Sequence, residues 1–207
     1  QPDLVVVCGD LVNDAASDAA YGDFNAIKAG FAMPCHCVPG NHDVGNSPTP
    51  ASLERYRRIV GKDYFSFEHK GYVFALVNTQ LWKGPLEGES EQHDAWLRGV
   101  LTAAKAEGKP VVIAGHSPLF LETPDEKEAY FNLPEPKRAE LLALFEATGV
   151  AAVVTGHTHK HVIAEYHDIQ MVSSATTSKN FDGAPMGFRL WRVAAARPWK
   201  HEYIPIS

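Results

Sequence analysis

The chain has 207 residues, 45% hydrophobic and 21% charged, which is enough apolar content to close a large core and predicts one domain over residues 1–207. A net charge of −6, with Lys and Arg scattered rather than striped, argues against a nucleic-acid partner. No apolar run approaches the ~18 residues of a membrane helix, and a start of Gln1-Pro2-Asp3-Leu4 with three cysteines lacks the marks of a secreted disulfide framework, so a cytoplasmic, reducing compartment without membrane partners is expected.

Leu4 to Cys8 is a continuous apolar run of strand type ended by Gly9, which leaves Asp10 just past a strand end. A strand that begins almost at residue 1, in a chain that does not begin with Met, predicts that residues are missing upstream. Asn13 to Ala29 reads as a helix with Asp14 or Ser17 as its cap, and Pro34 to Val38 as a buried strand ended by Pro39-Gly40. Within that strand Cys35-His36-Cys37 resembles half a zinc site, but alternating residues with no second cysteine pair read as packed core. Residues 51–60 predict a short helix, and Tyr64–Glu68 with Tyr72–Asn78 a hairpin turning at Lys70-Gly71.

Glu91 to Ala106 places Ala95, Trp96, Val100, Leu101 and Ala104 on one helical face, and Gly108-Lys109-Pro110 then leads to the strand Val111–Ala114 and to His116. Residues 117–134 are a proline-containing, acidic loop. Its aromatics Phe120, Tyr130 and Phe131 could cover a site or pin the loop to the body, and pinning is the reading taken. A helix over Pro136–Ala147 and a strand over Val150–Thr155 deliver Gly156 and His157. Short strands follow at Val162–Tyr166, Ile169–Ser173, Gly187–Val193 and Trp199–Ile204. Helix-strand alternation with a β-rich end predicts an α/β fold, a four-layer α/β/β/α sandwich of two mixed sheets flanked by helices.

Gly9-Asp10, Gly40-Asn41-His42-Asp43, Gly115-His116 and Gly156-His157-Thr158-His159 each follow a predicted strand, where open α/β sheets gather side chains into one crevice. Imidazole, carboxylate and amide oxygen without thiolate suit Zn²⁺, Mn²⁺ or Fe and do not select among them. Taken singly, Asp10 could be a helix cap, Asn41 a turn residue and His116 a hydrogen-bonded core histidine. The joint order, the Gly-led turns and the strand-end placement favour a metal site. Bound cations make a cleft locally positive, so an acidic chain can still receive a phosphate.

These motifs resemble those of the calcineurin-like metallophosphoesterases, which run Asp-x-His, Gly-Asp, Gly-Asn-His-(Asp/Glu), Gly-His and Gly-His-x-His in that order; all but the first are here. The chain is similar in particular to the complete serine/threonine protein phosphatase branch, through Gly40 to Thr49, Asp63-Tyr64-Phe65-Ser66-Phe67, Pro118 to Glu122 and Tyr130-Phe131-Asn132-Leu133. The resemblance implies a fold lacking its first strand here. It implies two divalent metal ions, of Mn, Fe, Zn or Mg, with Asp10 bridging them and Asn41, His116 and His157 completing the second. His159 would serve the first, whose Asp-x-His ligands are absent. His42 would act as general acid toward the leaving group, with Asp43 orienting its imidazole, while a hydroxide held between the metals attacks phosphorus.

The implied partner is a phosphorylated small molecule or phosphoprotein, and the implied activity hydrolysis of phosphate monoesters, phosphoserine and phosphothreonine among them. A cyclic-nucleotide phosphodiesterase and a non-catalytic protein-binding scaffold are the alternatives. Asn13 stands where purple acid phosphatases place a tyrosine ligand, which argues against that subclass. His161 reads as a solvent-facing strand histidine, and Lys179, Asn180 and Arg189 as ordinary surface groups.

Overall fold

A computed structural model describes residues 1–206. The first strand, β1 (Val5–Cys8), pairs in parallel with β2 (Cys35–Val38) across the crossover helix α1 (Asp18–Ala29). The Ser17 hydroxyl caps α1 by accepting the Ala20 N–H. Residues 13–17, expected to be helical, instead form a turn in which the Asp14 carboxylate accepts the Ala16 N–H, a local bond that competes with helix formation. Two one-turn helices, α2 (Asn41–Val44) and α4 (Gln80–Lys83), flank α3 (Pro50–Ile59) and the hairpin that follows it, and are too short to show helical periodicity. Reciprocal Thr49 and Ser52 bonds with Pro50 at the first position start α3.

The hairpin strands β3 (Phe65–His69) and β4 (Tyr72–Leu76) turn at Lys70-Gly71 as predicted, both residues having positive φ. Helix α5 (Glu89–Ala106) precedes β5 (Val111–Ala114), and α6 (Glu135–Thr148) precedes β6 (Val150–Thr155). With β7 (Val162–Tyr166) and β8 (Ile169–Ser173) these strands form a six-stranded mixed sheet in the order β3-β4-β5-β6-β8-β7. An antiparallel pair, β9 (Gly187–Arg192) and β10 (Lys200–Pro205), completes the described elements. Trp199, expected in the last strand, lies outside it because its backbone N–H and carbonyl are held by the Gln170 side-chain amide.

One face of the large sheet presents Val73, Ala75, Val111, Ile113, Val153 and Met171 to Leu97 and Leu101 of α5 and to Leu141 and Phe145 of α6. The opposite face packs Leu76, Ala114 and Val154 on Val6 and Val38, and Val112 and Ala152 on Trp191 and Trp199. Two sheet layers with helices outside are therefore present, and the second layer consists of two separate two-stranded pieces.

His93 of α5 is fully buried against Tyr64 and Trp82, with Nε2 accepting the Asn78 backbone N–H at 3.3 Å. Burial pushes its pKa from the ordinary 6.5 down to about 4. The unfolded chain therefore binds this proton near pH 6.5 and the folded chain only near pH 4, so this histidine lowers stability as pH falls through that window, by roughly 3 kcal/mol at most. The denaturation midpoint is expected to drop between pH 7 and pH 4.5. His93→Gln should be less stable at pH 7 yet show a shallower pH dependence, which urea titrations of both proteins at the two pH values would check.

Candidate metal centre

The carboxyl ends of β1, β2, β5 and β6 meet at one place, and the glycines leading each motif are what allow it. A Cβ on Gly9, whose φ is +82, would lie 2.5 Å from His116 Nδ1, and one on Gly40 would lie 2.2 Å from Asp10 Oδ1. Asp10, His157 and His159 themselves have positive φ, at 53, 64 and 53. Asp and His tolerate this region better than most residues, but each still carries a strain of about 1–3 kcal/mol, the kind that clusters at functional sites.

His116 is almost completely buried, and its Nδ1 lies 2.7 Å from the Cys8 carbonyl, which can only accept. Nδ1 therefore carries the hydrogen, and Nε2 of the neutral ring is a lone pair. That lone pair faces Asp10 Oδ2 at 3.3 Å and Asn41 Oδ1 at 3.1 Å. Asp10, His116 and His157 each offer a ligand atom within 4.8 Å of the other two. Such spacings match donors placed around one ion with bonds of ~2.0–2.2 Å. A cation satisfies all of these electron pairs at once, whereas a proton serves one.

The protonation states suit this role. Burial, with the nearby His116, pushes the His157 pKa down to about 3, which keeps the ring in its neutral, metal-ligating form. For Asp10, burial disfavours the charge, but a proton standing on His116 Nε2 in place of a cation, through its hydrogen bond and charge, together with the His42 backbone N–H at 3.0 Å, outweighs it and holds the carboxyl below its ordinary value.

His159 stands apart from this group. Its Nδ1 bonds the Lys179 carbonyl at 2.6 Å and its ring stacks on Phe181. His42 is exposed at the rim, and the group orienting it is not the expected Asp43: Nδ1 of His42 faces the Asn13 carbonyl at 3.1 Å. The buried Asp43 carboxylate instead accepts from the backbone N–H groups of Gly40, at 2.8 Å, and Leu11, at 3.1 Å. It points into its own turn because those buried N–H groups need an acceptor there. Asp43 thus joins the loops carrying Asp10 and Asn41, and burial pushes its pKa up to about 6.

Loop 117–134 is both pinned and over the site. Phe120 and Leu133 are buried in the core, and Glu126 collects the N–H groups of Leu121, Glu122 and Thr123. Tyr130 and Phe131 lie with ring centroids 5.1 and 5.3 Å from His157, and the Tyr130 hydroxyl is 3.4 Å from Asn41 Nδ2. Lys83, which the sequence did not single out, donates to the Tyr130 carbonyl and sits over its ring at 5.0 Å. Nothing in Trp82-Lys83-Gly84 marks it, since its place depends on a one-turn helix. Arg189 contacts His161 and His201 on the β9–β10 side instead of the metal donors.

The family model described as Calcineurin-like phosphoesterase matches residues 1–161. The human serine/threonine-protein phosphatase CPPED1 is 32% identical over 207 residues, covering 95% of this chain and 66% of that protein. The Haemophilus influenzae 3',5'-cyclic adenosine monophosphate phosphodiesterase CpdA is 29% identical over 181 residues, covering 86% and 62%. A dimetal phosphatase structure from Danio rerio superposes with a TM-score of 0.59 at 19% identity, covering 84% of this chain and 72% of that one, a likeness of fold. The chain spans slightly less than two thirds of the length of the human relative. The strand-end motifs, the family match and the human relative agree: the chain belongs to the calcineurin-like phosphoesterase family.

Proposed function

We propose that the chain is a metal-dependent hydrolase of phosphate esters that acts on monoesters, with phosphoserine and phosphothreonine in a protein as candidate substrates. The observation that carries this reading is the His116 lone pair turned toward two oxygen acceptors beside a neutral His157. Asp10, Asn41, His116 and His157 would hold one divalent ion. A cation bound there supplies positive charge against the phosphoryl oxygens and Lewis acidity toward phosphorus. A second ion would have only Asp10 and His159 of this chain, fewer than the three protein ligands usual for a catalytic zinc.

The remaining roles fall to the chain's own side chains. With Nδ1 of His42 donating to the Asn13 carbonyl, Nε2 is free to hold a proton and pass it to the leaving oxygen. Its backbone N–H fixes Asp10 Oδ1, so the turn that carries the general acid is tied to a metal donor at the end of the neighbouring strand. Asp43 is a positioning residue for that turn. Lys83 adds a cation beside the Tyr130 loop, where it can favour a dianionic monoester over a monoanionic diester. The similarity to serine/threonine-protein phosphatases supports the monoester reading. The similarity to a cyclic-nucleotide phosphodiesterase supports the second reading, a diesterase.

Metal analysis after dialysis is expected to find one tightly held divalent ion per chain, lost in His116→Ala; two tightly held equivalents would contradict the single-site assignment. His42→Ala should lower hydrolysis by about 10²–10⁴-fold while leaving metal content unchanged, whereas loss of metal in parallel would make His42 a ligand. A chromogenic phosphate monoester should turn over faster than the corresponding diester at equal metal loading. Faster diester turnover would replace the monoester reading by the second one.

A further inference from the structure

A second chemically distinctive place lies at the far end of β2 from the metal centre. A cavity of about 200 Å³ opens there, lined by Cys35, Cys37, Lys28, Lys62, Phe65 and their neighbours. Residues two apart on a strand face the same side, so Cys35 and Cys37 present their thiols together. His36 also borders the cavity, but its ring stacks on Phe67 with centroids 4.1 Å apart, and among the described residues it forms no metal-sized donor group with the two thiols. Two sulfurs alone do not make a zinc site. The lining holds two ammonium groups and no carboxylate, so the cavity favours an anion. Cys35 is half-buried and Cys37 buried, so only the first thiol is open to a reagent, and the packed-core reading fits Cys37 alone.

We propose that Cys35 is a thiol–disulfide exchange site for small anionic disulfides, with Lys28 and Lys62 holding the reagent's carboxylates and the buried Cys37 beside it on the same face of β2. In the exchange the Cys35 thiolate attacks one sulfur of the disulfide and a new bond forms between them. The original sulfur–sulfur bond breaks, and its electron pair leaves on the other half as a thiolate that takes a proton from water. Cys35 is oxidised and the departing half reduced.

The electrostatics agree with the geometry. The neighbouring Cys37 and, against burial, the Lys28 charge pull the Cys35 pKa down to about 7. The neighbouring Cys35 and burial push the Cys37 thiol up, and its buried place keeps it from displacing the bound half. Cys8 is an internal control by its surroundings: its thiol donates to the Val154 carbonyl and does not line the cavity. The cavity at Cys35 shares no lining residue with the metal centre.

The test is incubation of the purified chain with oxidised glutathione or, separately, with the cationic disulfide cystamine, each rate being divided by that of a free cysteine peptide. Intact-mass and peptide analysis should find one adduct, on Cys35, with the normalised rate roughly tenfold higher for oxidised glutathione, a ratio that ~1.4 kcal/mol of charge attraction provides. Lys28→Gln with Lys62→Gln should bring the two normalised rates together, and Cys35→Ser should abolish the adduct. Reaction at Cys8 or Cys37, a Cys35–Cys37 bridge as the product, or equal normalised rates in the unmodified sequence would overturn the proposal.

Discussion

The hydrogen bond from His116 Nδ1 to the Cys8 carbonyl, 2.7 Å long, joins the end of the β1–β2 pair to the large sheet, and the site depends on that approach. It needs missing side chains as much as present ones. A Cβ on Gly9 would strike His116, one on Gly40 would strike Asp10, and one on Gly156 would come within 3.1 Å of the Cys8 carbonyl. Closing the strand ends to this distance desolvates Asp10, His116 and His157 and holds two of the three at positive φ. Unfavourable local terms of this kind persist only where the surrounding packing fixes them.

That packing is partly a polar layer beneath the site. Ser117, next to His116, receives the Thr79 hydroxyl oxygen on its N–H and donates its own hydroxyl to Gln80, whose amide reaches the Gly45 carbonyl at the end of α2. Asn78 connects the layer to Asp63, which is buried and paired with the Arg57 guanidinium, itself also held by Glu89. Each of these links is satisfied, so the layer adds rigidity without leaving a buried charge alone. The turns carrying Asn41 and His116 are thereby held from below as well as by their own glycines.

Much of this was legible in the sequence because the strand-end turns use glycines and αL-tolerant residues, and such chemistry is local. The Lys70-Gly71 hairpin was legible for the same reason, and Ser17 was one of the two caps the sequence offered for α1. What was not legible depends on distant partners. Asp43 reads as a neighbour of His42, yet the unpaired N–H groups of Gly40 and Leu11 claim it, and Leu11 is supplied by the other strand. Lys83 becomes part of the site only through the Tyr130 carbonyl, 47 residues away. Cys35 and Cys37 look alike in an alternating strand, and only the cavity beside β2 distinguishes an accessible thiol from a buried one.

The charge balance of the site also differs from that of the whole chain. The protein carries −6, but among the four converging donors only Asp10 is anionic, since Asn41 is neutral, His116 uses one nitrogen as donor, and His157 is kept uncharged by burial. Asp43, the nearest other carboxyl, faces backbone N–H groups and has its pKa raised to about 6. A divalent ion held against one carboxylate would leave the pocket with net positive charge before Lys83 is counted. In a partly desolvated crevice such a local field outweighs dispersed surface charge that salt screens beyond ~10 Å. With a cation in place the crevice would favour an anion despite the chain's −6, because the fold spends few carboxylates at the site and places Lys83 at its edge.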